Sequence, residues 1–154
     1  DAFAAALKEV TTYLARNMAR DGEGASKLLE CNVCGAKDKK NAKVIAKSII
    51  CSNLLKAAMF GADANWGRVL CAIGYSGADV DVNKVAVTFA SAAGEVAVCE
   101  NGAGIDFSEE LAKKVLDESE ICINVGLGDG SACATAWGCD LTYEYVNING
   151  SYRS

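Results

Sequence analysis

Histidine and proline are both absent from the 154 residues of this chain. Without histidine, the chain lacks the commonest general base and metal ligand of proteins. Without proline, its turns have to be formed by glycine, asparagine, aspartate and serine. The longest apolar runs are far shorter than the roughly 20 residues that a membrane-spanning helix needs. We therefore expect neither a histidine-based site nor a membrane protein.

Concentrated positive charge is also missing. The formal net charge is −5, from 15 Lys and Arg against 20 Asp and Glu. The densest basic stretch, residues 37–43, also contains Asp38. Because nucleic-acid phosphates are neutralised by a concentrated basic face, we expect no binding to nucleic acid.

The remaining composition is that of a globular protein, with 51% hydrophobic and 23% charged residues. A chain of this length buries roughly 70% of the surface that its unfolded form exposes, which predicts a single domain over residues 1–154. An apparent helix begins at the first residue. We therefore expect the chain to be the downstream part of something longer.

Eight cysteines stand among apolar neighbours: Cys31, Cys34, Cys51, Cys71, Cys99, Cys122, Cys133 and Cys139. An even number permits disulfides, but a domain with a core of this size does not need them. Free cysteine packs as a small hydrophobic residue. The pattern favours reduced thiols in the core and a cytoplasmic location.

Apolar spacing predicts five helices. The first covers residues 2–18, with apolar side chains at intervals of three and four: Phe3, Leu7, Val10, Leu14 and Met18. Asp38, Ser52 and Ser108 are the expected N-caps of three others, and the fifth starts near Asn65.

Alternating residues predict the strands. The stretches "LLECNVC", "KVAVTF", "EVAVCE" and residues 121–127 alternate between apolar and polar positions, and a turn at 92–94 joins the middle two as a hairpin. A further long β segment is predicted to run through "CDLTYEYVNIN" to the end of the chain. The order of elements predicts an α+β fold, a layered mixed sheet packed by helices on one side.

Glu23 lies between two glycines where the first helix gives way to the first strand. Glycine allows positive φ angles and a close approach of the backbone to a ligand. This position leaves the carboxylate free to meet an ammonium group. A solvated turn is the other interpretation, and the residues alone do not exclude it.

The C-terminal segment of the chain also allows two interpretations. If the last strand reaches the terminus, it carries Asn149, the Ser154 hydroxyl and the terminal carboxylate to one fixed place. The alternative is an edge strand with a loose end.

Two other patterns carry weaker signals. Cys31 and Cys34 have C-x-x-C spacing, but residues three apart on a strand point to opposite faces, and no second pair completes a metal site. The stretch "GLGDG", residues 126–130, is followed by β structure rather than by a helix. It therefore predicts a hairpin turn rather than a phosphate loop.

Several longer motifs stand together in one order: "DGEGASK", "NWGRVLCAIGYSG", "VCENG" and the closing block from Gly128, "GDGSACATAWGCDLTYEYVNINGSYRS". With them the whole chain resembles the C-terminal part of the ornithine acetyltransferase family (glutamate N-acetyltransferase, ArgJ). The resemblance implies an ArgJ/DmpA-like C-terminal region. Ser26 and Ala64 depart from the Thr and Pro that are common in the family.

The resemblance implies a two-step acetyl transfer. Family members are precursors that cleave themselves ahead of a threonine to give α and β chains, expected to assemble as α2β2. The new N-terminal threonine takes the acetyl group from N-acetylornithine as an ester and passes it to glutamate, yielding ornithine. No metal, coenzyme or nucleotide is needed, so no cofactor is expected. The nucleophile would lie upstream of this chain, which then supplies no catalytic residue.

Matched to the family's motifs, Glu23, Asn149 and Ser154 fall on substrate-binding positions. The partners implied are the α chain and the upstream segment of the β chain. Two alternatives remain open: an N-terminal-nucleophile aminopeptidase of similar fold, whose carboxylate grips a peptide amine, and a non-enzymatic module that binds amino acids.

Overall fold

The computed structural model describes residues 1–152, so the predicted site residue Ser154 lies outside the described residues. The helices are α1 (Ala2–Arg20), α2 (Lys39–Cys51), α3 (Asn53–Phe60), α4 (Trp66–Gly74), α5 (Glu109–Leu116) and α6 (Tyr143–Ser151). The strands are β1 (Leu28–Ala36), β2 (Ala86–Ser91), β3 (Gly94–Glu100), β4 (Ala103–Gly104), β5 (Glu120–Gly126) and β6 (Ala132–Cys139). Within residues 1–152, no helix is long and apolar enough to cross a bilayer.

The predicted helix caps are confirmed. The side chain of Asp38 accepts a hydrogen bond from the Asn41 amide at 2.8 Å at the start of α2. The Ser52 and Ser108 hydroxyls do the same for α3 and α5. Each cap satisfies an amide that has no partner within its helix, which fixes where these helices begin.

The six strands form one mixed sheet in the order β4-β3-β2-β5-β1-β6. Strands β1 and β5 are parallel, and the other neighbours are antiparallel. The predicted hairpin is confirmed as β2 and β3. The α+β class and the mixed sheet predicted from the order of elements are therefore confirmed.

The core lies between the sheet and the layer formed by α2, α3, α4 and α5. Along β1, Leu29, Cys31 and Val33 are buried. Facing them, α2 buries a stripe of five residues: Ala42, Ile45, Ala46, Ile49 and Ile50. Phe89 on β2 and Ile123 on β5 continue the same apolar surface, and all of these residues belong to one core cluster.

Helix α1 lies on the opposite face of the sheet, over β1 and β6. Arg16 pairs with Glu30 at 3.8 Å and with Glu120 at 3.1 Å, and Arg20 also pairs with Glu120. Glu30 alternates along β1 with the buried Leu29 and Cys31, so it points away from the α2 layer. The prediction that helices pack on one side of the sheet is therefore correct for the helices of the core layer, but α1 lies on the other side.

The predicted β structure at the end of the chain is wrong. Strand β6 ends at Cys139, and residues 143–151 form α6. The Thr142 hydroxyl caps this helix by accepting from the Tyr145 amide at 3.2 Å. Tyr, Val and Ile are enriched in strands, and their alternation misled the prediction. The cap and the lack of a strand partner decide the local structure instead.

The prediction of reduced core thiols is also wrong in part. Cys34 on β1 and Cys133 on β6 form a disulfide, with their Cα atoms 4.2 Å apart. Cys31 and Cys99 are buried as predicted, whereas Cys51 and Cys71 are exposed. Strand register brings Cys34 and Cys133 together from 99 residues apart. Spacing along the sequence does not reveal that pairing.

Candidate active site

The loop between α1 and β1 carries Glu23 against the start of α6. Gly24 has a φ of +66°, which favours glycine. A Cβ atom at Gly24 would lie 2.8 Å from the Tyr145 amide nitrogen, closer than real Cβ atoms come to other heavy atoms. Glycine at this position therefore allows the loop to lie directly on the first turn of α6.

Glu23 and Asn149 meet across this junction. The Asn149 Nδ2 atom donates to the Glu23 Oε2 atom at 2.6 Å and to the Tyr145 carbonyl at 2.9 Å. Both side chains are exposed, although 126 positions separate them in the sequence. Two of the three predicted site residues thus lie together, and the third, Ser154, lies outside the described residues. Their role in binding substrate stays a prediction.

Asp140, at the end of β6, holds the other side of the loop. Its carboxylate accepts hydrogen bonds from the amides of Ser26 at 2.8 Å and Lys27 at 3.1 Å, and from the Ser26 hydroxyl. Only 3% of Asp140 is exposed. A buried carboxylate is stable when donors surround it, as they do here. The loop is therefore anchored at a fixed point two residues beyond Gly24.

Thr142 joins the loop to α6 in a second way. Its hydroxyl donates to the Gly24 carbonyl at 2.6 Å while accepting from the Tyr145 amide. One buried side chain thus caps the helix and holds the loop. Sequence reasoning missed both Asp140 and Thr142. The signal was available, since Asp and Thr two residues apart at a strand end are typical of capping and turn structure.

Lys27 ties the same region to the helical layer. Its Nζ atom donates to the Met59 and Leu116 carbonyls, each at 2.7 Å, at the ends of α3 and α5. Burial lowers the pKa of the Lys27 ammonium, and the charges of Asp117 and Asp140 oppose that shift. Carbonyls at helix ends lack partners within the helix, so this contact stabilises two termini at once.

The other patterns in the sequence serve structure. Cys31 faces the core, and burial raises the pKa of its thiol to about 12, while Cys34 is bonded to Cys133. Within residues 1–152, no group of three or more Cys, Asp or Glu side chains is placed to hold a metal ion. The stretch 126–130 turns the chain, with Gly128 at a φ of +67°, but the predicted hairpin is wrong, because the stretch joins β5 to β6 and β1 lies between these two strands in the sheet.

Comparison with known proteins shows the family of this chain. A model of the ArgJ family matches residues 1–154, the whole chain. This chain belongs to the ArgJ family. The motifs that carry the resemblance in the sequence include the loop of Glu23 and the segment from Asp140 to Asn149, the two parts that meet in the structure.

Two curated ArgJ-family relatives are similar along nearly the whole chain. The "Arginine biosynthesis bifunctional protein ArgJ" of Caldanaerobacter subterraneus subsp. tengcongensis is 58% identical over 100% of this chain and 38% of its own length. The "Glutamate N-acetyltransferase" of Methanopyrus kandleri is 51% identical over 99% of this chain and 39% of its own length. The chain therefore spans well under half of these relatives.

A solved ArgJ structure has the same fold. The crystal structure of the arginine biosynthesis bifunctional protein ArgJ from Bacillus halodurans matches with a TM-score of 0.89 and 43% identity. The match covers 97% of this chain and 69% of the crystallised chain. Since the chain spans 38% of the Caldanaerobacter relative, the crystallised chain is little more than half as long as that relative.

Proposed function

We propose that this chain is the C-terminal segment of a glutamate N-acetyltransferase that moves the acetyl group of N2-acetylornithine to glutamate in arginine biosynthesis. Membership of the ArgJ family supports the proposal, as do the names of the Caldanaerobacter and Methanopyrus relatives. The assembled protein is then the enzyme, and this segment supplies part of its substrate site.

The observation that carries the proposal is the contact between Glu23 and Asn149. The amide of Asn149 donates to the Oε2 atom of Glu23, and the Oε1 atom can accept from an ammonium group. The side-chain carbonyl oxygen of Asn149 is a second possible acceptor for that ammonium group. An exposed Glu–Asn pair on a glycine loop thus suits the amine of ornithine, and Ser154 would add a hydroxyl from the end of the chain.

The reacting groups come from outside this chain. In the proposed reaction, the hydroxyl of an N-terminal threonine attacks the acetyl carbon of N2-acetylornithine. The carbon–nitrogen bond breaks, ornithine leaves with the proton, and an acetyl ester remains on the threonine. The amine of glutamate then attacks the ester and releases the threonine hydroxyl. The threonine's own amine serves as the base.

The proposed partners are the α chain and the upstream segment of the β chain in an α2β2 assembly. The crystallised relative supports cleavage of a precursor, because its chain is little more than half the length of the Caldanaerobacter relative. A biosynthetic role also supports a cytoplasmic location. We propose no cofactor for the transfer.

The proposal is tested with Glu23→Gln in a full-length ArgJ enzyme that carries this chain. A charge-assisted hydrogen bond to an ammonium group contributes roughly 1.5–3 kcal/mol, so kcat/KM for N2-acetylornithine should fall about 10- to 150-fold. Glu144→Gln is the matched control, since Glu144 is an exposed carboxylate on α6 that contacts Asn147. It should leave kcat/KM unchanged.

Three results would contradict the proposal. An unaltered kcat/KM in Glu23→Gln removes Glu23 from the substrate site. Tight binding of ornithine by the 154 residues alone, measured by calorimetry, favours a self-sufficient amino-acid-binding module. Release of free acetate or of peptide amines instead of acetyl transfer would indicate the aminopeptidase alternative.

A further inference from the structure

The apolar stripe of α1 is exposed along its whole length. We define this stripe as five side chains at helical spacing, with exposed fractions of 73%, 51%, 55%, 52% and 78%: Phe3, Leu7, Val10, Leu14 and Met18. No residue of α1 is buried. A helix of a soluble domain normally turns such a stripe toward a core.

In α1 the apolar stripe faces away from the sheet, and the more polar side of the helix faces the sheet. Thr12, Ala15 and Arg16 are half-buried and face the sheet, and Ala19 continues the same side. At about 100° per residue, the stripe points to the opposite side of the helix. The sheet is contacted through ion pairs of Arg16 and Arg20, whereas the apolar side faces outward. The helix is thus placed to receive a second layer on its outer side.

The stripe also leads to the candidate site. A groove of about 470 Å³ lies at its C-terminal end, lined by Leu14, Asn17, Met18, Arg20 and Asp21. Asp21 is two positions before Glu23. From Phe3 to Met18 the stripe extends roughly 22 Å at 1.5 Å per residue, which is long enough for a packed helix or sheet. A segment seated along it would reach the neighbourhood of Glu23.

The length of the relatives identifies the occupant. This chain covers 38% of the Caldanaerobacter relative and 69% of the crystallised Bacillus halodurans chain. We propose that the stripe of α1 packs against the part of the ArgJ polypeptide that these 154 residues do not include, and so joins the two parts of the substrate site. The inference rests on the proposed function for the existence of that second part.

Cysteine footprinting tests this surface. Leu14→Cys is prepared in the 154-residue chain and in a full-length protein, built by replacing the matched part of the Bacillus halodurans relative with this chain. Alkylation at residue 14, followed by mass spectrometry, should slow at least about 10-fold in the full-length protein, because a buried thiol reacts only after local opening. Val10→Cys should show the same protection.

Glu9→Cys is the matched control on α1, since Glu9 lies outside the stripe. Its alkylation rate should be similar in both proteins. Equal labelling of residue 14 in the two proteins would overturn the inference. Protection of residue 14 already in the isolated chain, together with a dimer in sedimentation, would also overturn it and assign the stripe to a second copy.

The acetyl-transfer assay on the same full-length protein separates this inference from the proposed function. Protection of residue 14 in a correctly folded but inactive protein would support the surface and count against the function. If residue 14 were unprotected in an active protein, the result would support the proposed function and count against the surface.

Discussion

Asp140→Ala should destabilise this chain more than the loss of any exposed carboxylate. The carboxylate is buried and accepts from two backbone amides and one hydroxyl, at Ser26 and Lys27. Alanine leaves those donors without an acceptor. The loop of Glu23 then loses its anchor to the end of β6.

The size of the effect follows from these contacts. A hydrogen bond to a charged group contributes about 1.5–3 kcal/mol, but Ser26 is exposed, so water replaces part of what is lost. We expect the free energy of unfolding to fall by about 3 kcal/mol, which lowers Tm by about 6–12 °C in a domain of this size. Asp140→Asn keeps an acceptor oxygen and should lose roughly half as much.

Urea denaturation followed by circular dichroism measures the difference. Asp79→Ala is the control, because the Asp79 side chain is 83% exposed and, within residues 1–152, pairs only with Lys37, at 3.3 Å. Exposed ion pairs contribute about 0–1 kcal/mol. If Asp140→Ala costs no more than Asp79→Ala, then Asp140 does not anchor the loop.

Two further predictions concern the same chain. Gly24→Ala should lower the free energy of unfolding by about 2–3 kcal/mol, because Gly24 has a positive φ and a Cβ atom there would crowd Tyr145. Gly74→Ala is the control and should cost nothing, because the space around Gly74 is open. Equal stability of the two variants in urea would refute this prediction. Iodoacetamide at pH 8 should label the exposed Cys51 long before Cys31, because Cys31 is buried and burial raises the pKa of its thiol to about 12, which leaves little reactive thiolate. Similar rates for the two thiols, read by mass spectrometry, would contradict it.

The core could be predicted from the sequence because local signals and burial agree there. Helix α2 has its cap at Asp38 and its apolar stripe at the predicted positions, and both are confirmed. The stripe of α1 is equally regular but is not buried within this chain. Periodicity shows which side of a helix is apolar, whereas the partner of that side depends on tertiary structure.

Other features depend on contacts that spacing does not reveal. The pairing of Cys34 with Cys133 requires the register of β1 against β6. At the tail, the strand preference of the aromatic and β-branched residues competes with the Thr142 cap, and the cap prevails. The positions of Glu23 and Asn149 in the site were suggested by family resemblance, while Asp140 becomes visible only through its hydrogen bonds.

Glu23 lies between two differently attached supports: the Asp140 anchor on one side and the surface helix α1 on the other. On its C-terminal side the backbone is attached to the body of the domain through Ser26, and on its N-terminal side it continues within three residues into α1. Rotation of α1 about its axis would therefore re-aim this carboxylate while Ser26 stayed in place. If Glu23 binds substrate as we propose, its affinity and the packing of α1 against a partner segment would be thermodynamically linked, and each would change the other by the same factor.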